Sequence, residues 1–393
     1  MDWDRHLAHV SNIYDLLLPY LLTEGRLSED NLSIRESGNG IPDLIDEARN
    51  EVDFFLSIRD GEAYSQGVTN PSTEWTIMFQ AGCTTMAAWA NAANCAMLAE
   101  AFRIHGDEEL CAYYTEEAVK AYRYAEKQEW TQLDDLQNIG TSGMRGRDFK
   151  QMAAAFLYNL TGERSWEDVM ALESVVKDGK SPVFSKQGRN QFYQIWGTAA
   201  YLTCPHERHY PELYANMKSS VNHQADENNV NHMYARPSRR TANDPRWQTS
   251  QNLQMVMLAH YIADNSERRS RLEAAMYIEA GWGLGRNPAN IVEMTGLGER
   301  HIVDCYTTGR NDGTPGSHPG QTPFNGTETW SAGNGGDATI ILGRCYPDWY
   351  TAGWPRQESF FNIRYMWVNG EFTPRETMRG KMALLAYLYG IRE

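Results

Sequence analysis

Apolar residues return at three- and four-residue steps along almost the whole chain, and this periodicity restricts it to a fold assembled from helices. Leu7, Val10, Ile13, Tyr14, Leu17, Leu18 and Leu21 mark a first, largely buried helix. Ile41-Pro-Asp-Leu-Ile-Asp-Glu-Ala-Arg49 opens a second, with Pro42 near its first turn and acidic residues at its positive end. The pattern predicts further helices at about 82–105, 107–127, 147–161, 163–177, 188–203, 210–226, 247–265, 268–284 and 375–390. Ala-rich stretches such as Met86-Ala-Ala-Trp-Ala-Asn-Ala-Ala93 favour close helix packing. Ten or eleven helices with little strand signal predict an all-α chain of antiparallel pairs, and 393 residues at 41% hydrophobic content suffice for one large domain spanning 1–393.

Connections between alternate helices are long and hold the unusual residues. The longest, about 285–335, contains Gly285-Arg-Asn-Pro288, Thr295-Gly-Leu-Gly298, Gly309-Arg-Asn-Asp-Gly313 and Pro315-Gly-Ser-His-Pro-Gly320. Its Gly and Pro residues prescribe turns, and the Arg, Asn, Asp, His and Tyr between them suit a binding wall. Connections of that length inside a compact domain are commonly functional.

Charge excludes one class of partner. The net charge of -15 and the lack of any Lys/Arg block argue against nucleic acid, which needs a dense basic surface. No apolar run reaches the ~18 residues of a membrane span. The six cysteines show no metal-binding spacing and read as scattered free thiols. Gly333-Asn-Gly-Gly336 lacks the Lys and Ser/Thr of a phosphate loop. Twelve Trp and 21 Tyr provide rings that can stack on sugars, although most such residues are packing residues in any fold.

Three blocks in order carry a family resemblance: Glu36-Ser-Gly-Asn-Gly-Ile-Pro-Asp-Leu-Ile-Asp-Glu-Ala-Arg49, Gly285-Arg-Asn-Pro288 with Thr295-Gly-Leu-Gly298, and the stretch around Glu358 in Trp354-Pro-Arg-Gln-Glu-Ser-Phe-Phe-Asn362. The chain resembles glycoside hydrolase family 9, the cellulase-type inverting hydrolases. The resemblance implies an (α/α)6 toroidal barrel and hydrolysis of β-1,4-linked glucosyl or glucosaminyl chains. The Thr307–Gly313 and Arg364–Thr373 stretches look closer to bacterial members that trim short oligosaccharides.

The family's first catalytic motif is Asp-Ala-Gly-Asp, and its last Asp, the general base, falls on Asp2; Met1 stands where the Gly would be. The earlier Asp and the Ala are absent, so an upstream portion is expected to be missing. An immunoglobulin-like domain often precedes such barrels. Read without the resemblance, Asp2 before a helix is an N-cap. Glu358 matches the general acid, with Trp354, Phe360 and Phe361 as an apolar wall able to raise its pKa; Glu371 is the competing candidate.

Sugar contacts are expected from Tyr306, Arg310, Asn311, Asp312, His318, Trp330 and Trp354. Tyr306-Thr-Thr-Gly-Arg-Asn-Asp312 replaces the family's usual His-His-Arg group, which predicts contacts unlike those of a standard endo-cellulase. Arg239, Arg240 and Trp247 lie in another loop of suitable composition, whereas capping and salt bridges explain Asp43, Asp46 and Glu47 at least as well. Two-carboxylate chemistry requires no cofactor and no catalytic metal; acidic loops leave calcium open without assigning ligands. Two other readings stand beside hydrolysis: a sugar-binding barrel without turnover, and another helical-barrel enzyme such as an epimerase or lyase.

Overall fold

The computed structural model describes residues 7–69, 77–139, 143–186, 188, 190–233, 247, 251–303, 305, 317–323 and 370–392. Its contacts gather into two compact units, Met1–Gln224 with Met257–Ala263 and Ala386–Glu393, and Ala225–Val256 with Asp264–Leu385.

In the first unit, a 3-10 turn Leu7–His9 leads into α1 (Ser11–Leu22), α2 (Asp43–Ser57), α3 (Thr85–His105), α4 (Glu108–Lys127), α5 (Gly146–Thr161), α6 (Arg164–Glu173), α7 (Ile195–Thr203) and most of α8 (Pro211–Asn228). Helix α3 is buried at every residue from Thr85 to Phe102, and α1, α2, α4 and α5 pack against it. Its alanines keep the interhelix spacing short and lose no side-chain entropy on burial. Helix α5 in turn carries α6 and α7, and the Tyr14 ring of α1 lies 4.8 Å from Trp196 of α7. Tyr14 also donates from its hydroxyl to Asn94 Oδ1 on α3, so α1 touches both flanking helices.

From α3 onward, short and long connections alternate. Between α3 and α4 stand only Gly106, at φ 93°, and Asp107, whose carboxylate accepts from Leu110 N. The positive φ closes the last turn of α3 in the left-handed region that glycine adopts without a Cβ clash. Gly162, at φ 68°, makes the equivalent turn between α5 and α6. Three of the longer connections, 58–84, 128–145 and 174–194, each hold a two-residue or three-residue antiparallel hairpin: β1 (Val68–Thr69) with β2 (Phe79–Gln80), β3 (Leu136–Asn138) with β4 (Gly143–Arg145), and β5 (Phe184–Ser185) with β6 (Phe192–Tyr193).

The helices expected at 82–105, 107–127, 147–161 and 210–226 fall within a few residues of α3, α4, α5 and α8. The helix expected at 188–203 starts instead at Ile195. Phe192 and Tyr193 pair with Phe184 and Ser185, and Tyr193 N donates to the Asp148 carboxylate, so the chain is extended there. The segment 257–263 and the C-terminal residues complete this unit: His260 Nδ1 lies 2.8 Å from the Tyr387 hydroxyl, and Gly390 packs on Thr23 and Leu27.

The second unit contains the 3-10 turn Val230–His232, part of α9 (Gln251–Tyr261), α10 (Ser266–Gly283) and most of the described residues beyond α10. Asn265 caps α10 by accepting from Arg268 N. A helical turn, Pro374–Thr377, precedes a break at Arg379 and Gly380 and then α11 (Ala383–Gly390), which continues into the first unit.

Close packing of α5 on α7 makes a measurable claim. A Cβ built on Gly197 would stand 1.9 Å from Gln151 Oε1, and Gln151 is fully buried. Gly197→Ala is expected to cost about 1–3 kcal/mol through overpacking. Thermal unfolding of the variant checks this; an unchanged midpoint would contradict the contact.

Candidate functional site

Two of the three hairpin-bearing connections, 58–84 and 128–145, meet at the start of α1. Leu7 N donates to Gln66 O at 2.9 Å, and Ser11 Oγ donates to Ile139 O at 3.5 Å. Helix α3 begins at the same place: Thr85 Oγ1 donates to Trp130 O, Met86 N to Gln132 Oε1, and Trp89 Nε1 to Thr131 O. These bonds fix the path of 128–135 and leave Trp130 64% exposed. Phe79, in β2, is 53% exposed and lies beside exposed Ile77 and Met78. Exposed rings on loops that a rigid helical body holds in place suit an extended, partly apolar ligand.

The third connection is tied in by a buried carboxylate. Asp148, at the first turn of α5, accepts from Arg145 N, from the Arg145 guanidinium, from Tyr193 N and from Gln194 Nε2. Its charge faces the positive end of the helix as well as Arg145, which compensates the cost of burying it. One side chain thereby joins the 128–145 and 174–194 connections. The Arg145 guanidinium, held in this way, lies 5.5 Å from the centre of the Phe192 ring.

The 36–49 block is structural where it is acidic. Asp43 accepts from Leu32 N and from Ser37 Oγ, and Asp46 accepts from Asn39 Nδ2. Asp30 accepts from Gly38 N and Gly40 N, and these backbone donors, Gly40 first, hold its carboxyl below the usual carboxylate range. Gly38 and Gly40 both have positive φ, which lets their N–H groups converge on one carboxylate. Burial raises the Asp46 carboxyl, an effect only partly offset by Asn39 and Arg49. Glu47 is exposed. Among the described residues no group of three His, Cys, Asp or Glu is placed to hold a metal ion.

In the second unit, the Gly285–Pro288 block forms a braced turn. Asn287 Nδ2 donates to Trp282 O and Ile291 O, and Gly285 has φ 106°. Thr295 joins this block to 317–323: its N–H donates to Gln321 O, and its hydroxyl donates to His318 O. His318 is exposed on that stretch. Trp247, a candidate sugar platform by composition, is instead fully buried with its ring against Gly283, and its backbone N–H donates to the Glu293 carboxylate. Glu371 is half-buried just before the helical turn Pro374–Thr377. Asp2, Tyr306, Arg310, Asn311, Asp312, Trp330, Trp354 and Glu358 lie outside the described residues, as do Arg239 and Arg240.

The family model described as glycosyl hydrolase family 9 matches residues 15–326. The chain belongs to glycosyl hydrolase family 9. Among solved structures, a family 9 protein of Bacteroides ovatus matches at 18% identity and TM-score 0.73, covering 100% of this chain and 71% of that one. A thermostable endoglucanase of Alicyclobacillus acidocaldarius, solved as a single mutant, matches at 16% identity and TM-score 0.69, covering 99% and 73%. A metagenome-derived family 9 endoglucanase matches at 17% identity and TM-score 0.72, covering 99% and 69%. At these identities the structures show the fold, and the fold of this family 9 chain is the all-α (α/α)6 barrel. No curated protein matches.

Sequence reasoning missed Asp148, Trp130 and Phe79. Trp130 left a faint signal, a large ring placed among Gln, Glu, Thr and Asp just past the end of a helix. Asp148 left none, because its partners come from segments that only folding brings together.

The raised Asp46 carboxyl sets a pH dependence. Its proton is held more tightly in the folded chain than in the unfolded one, so this contribution to stability is complete below the unfolded value of about 4 and is lost as pH climbs through the folded value. Asp46→Asn cannot ionise, and its amide oxygen can still accept from Asn39. The melting temperature of Asp46→Asn relative to the parent should therefore rise between pH 3 and pH 7. A difference that falls or stays flat over that range contradicts the assignment.

Proposed function

We propose that this family 9 hydrolase cleaves β-1,4-linked glucosyl or glucosaminyl chains with inversion, using Asp2 as general base and Glu358 as general acid. The observation that carries the reading is the family match over residues 15–326, which contains the 36–49 block; the assignment of Asp2 rests on the resemblance of the sequence upstream of that block. Glu358 protonates the leaving glycosidic oxygen while Asp2 takes a proton from water attacking the opposite face, the two carboxyl groups standing about 6.5–9.5 Å apart. Water adds as the glycosidic bond breaks, so the product is the opposite anomer and no covalent intermediate forms.

Support for the placement of the base comes from the start of α1. Five residue steps lead from Asp2 to Leu7, a reach of at most ~18 Å, and Leu7 is bonded to the connection that carries Phe79. Trp130 and Phe79 supply stacking surface there. Tyr306, Arg310, Asn311, Asp312, His318, Trp330 and Trp354 are proposed to contact sugar, in place of the family's His-His-Arg group. An immunoglobulin-like domain preceding the barrel is part of the same proposal; the matched structures are longer than this chain, which spans 71% of the Bacteroides ovatus protein.

Incubation with cellotetraose and with chitosan tetramer, followed by mass spectrometry, tests the activity, and fragment sizes separate end trimming from internal cutting. Glu358→Gln is expected to lower turnover by roughly 10²–10⁴-fold while ligand is still bound. Loss of turnover in Glu371→Gln but not in Glu358→Gln would move the acid to Glu371. Binding of both tetramers by the parent chain without any cleavage would favour a sugar-binding barrel and sink the hydrolase reading.

A further inference from the structure

The side of the first unit formed by α2 and α4 carries two adjoining clefts, the second of which runs to the end of α4, where the 128–145 connection begins. One, of about 510 Å³, is lined by Arg49, Asp53, Leu56, Arg59, Tyr113 and Glu117, among others. The next, of about 670 Å³, shares Arg59 and continues past Tyr64, Lys120, Arg123, Tyr124 and Lys127. From Tyr113 to Lys127 the two together follow α4 for roughly 20 Å.

Tyr113 is 48% exposed, yet its ring is fixed. It packs edge-on against Tyr114 at 4.9 Å, and Tyr114 is stacked on Phe102 at 5.6 Å. The Tyr114 hydroxyl donates to Asp53 and accepts from Arg49 Nε. The polar groups beside the ring are also held in place. Arg49 pairs with Asp53 at 3.3 Å, and Arg59 pairs with the nearly buried Glu117 at 2.8 Å. An exposed ring backed by packed rings, with fixed donors and acceptors on either side, loses little conformational entropy on binding a ligand that has both an apolar face and a ring of hydroxyls. A pyranose has both. The charges along the clefts are of both signs and largely paired, which favours a neutral chain over an anionic one.

We propose that the α2–α4 groove is a second, non-catalytic glycan-binding surface, with Tyr113 as its stacking platform and a neutral β-linked polysaccharide as its ligand. The choice of ligand rests on the function proposed above. The groove reaches Tyr113 near the start of α4, whereas the candidate site gathers around the 128–145 connection that follows the end of that helix. The sugar unit stacked on Tyr113 is therefore roughly 20 Å along α4 from that connection, and the surface would keep the enzyme on an insoluble polymer between cleavages.

The test pairs two measurements on the parent chain, Tyr113→Ala and Tyr113→Trp: depletion onto insoluble cellulose, and turnover of soluble cellotetraose. The expected result is binding to the polymer weakened about fivefold or more in Tyr113→Ala and restored in Tyr113→Trp, with soluble turnover within about twofold throughout. Equal polymer binding by the parent chain and Tyr113→Ala overturns the proposal, as does a parallel loss of soluble turnover, which would make Tyr113 part of the catalytic fold. A parent chain that turns over cellotetraose but ignores the polymer overturns the groove alone. A parent chain that binds the polymer without turning over the tetramer overturns the hydrolase reading, and Tyr113→Ala still decides the groove.

Discussion

Helix α3 has no solvent-facing side between Thr85 and Phe102, and the arrangement of the first unit follows from the need to cover it. A helix apolar on all faces cannot stay in water. Four neighbours close over it, and its alanines let them approach so closely that the larger side chains, Trp89, Met97 and Phe102, fill what space remains. Two polar side chains in this core each find one partner: Asn91 donates to Ala87 O one turn back, and Asn94 accepts from Tyr14. Because α3 is fixed along its length, its first turn can act as the anchor for the 128–135 connection through Thr85, Met86 and Trp89.

The helices were largely legible in the sequence because a 3.6-residue period over twenty residues is hard to produce otherwise. The turn between α3 and α4 was legible for a different reason: Gly106 and Asp107 are a C-terminal glycine and an N-terminal acid in succession. The hairpins were not legible. Strands of two or three residues are too short to show alternation, and the apolar run through Phe192, Tyr193, Ile195 and Trp196 reads as the first turn of a helix. Pairing with Phe184 and Ser185, and a bond to Asp148 from a segment 45 residues earlier, hold it extended.

The candidate site divides along the same line. The acids at 43 and 46 looked chemical and turned out to hold their own loop, as capping and ion-pair chemistry allowed from the start. Trp247 had the composition of a sugar platform and is a core residue, since nothing local to its sequence reveals that Gly283 leaves room for its ring. Trp130 left only its polar neighbours as a signal, and Phe79, among Ile77 and Met78, has the local sequence of a buried ring. Asp2 and Glu358 were reached through a family pattern that spans the chain, and no spacing rule would have joined residues so far apart.

The alternation of two-residue turns at Gly106 and Gly162 with connections of some twenty residues at the opposite end divides the molecule's tolerance to change. Closing a longer loop on a fixed frame costs only about 0.6 kcal/mol for each doubling in length, so the long connections can grow, shrink or be exchanged between relatives while the helices stay as they are. The tight turns have no such freedom, because one added residue would rotate every later side chain about its helix axis. Lineages of this fold can therefore diverge in what they grip at one end of the barrel while the other end records their common descent.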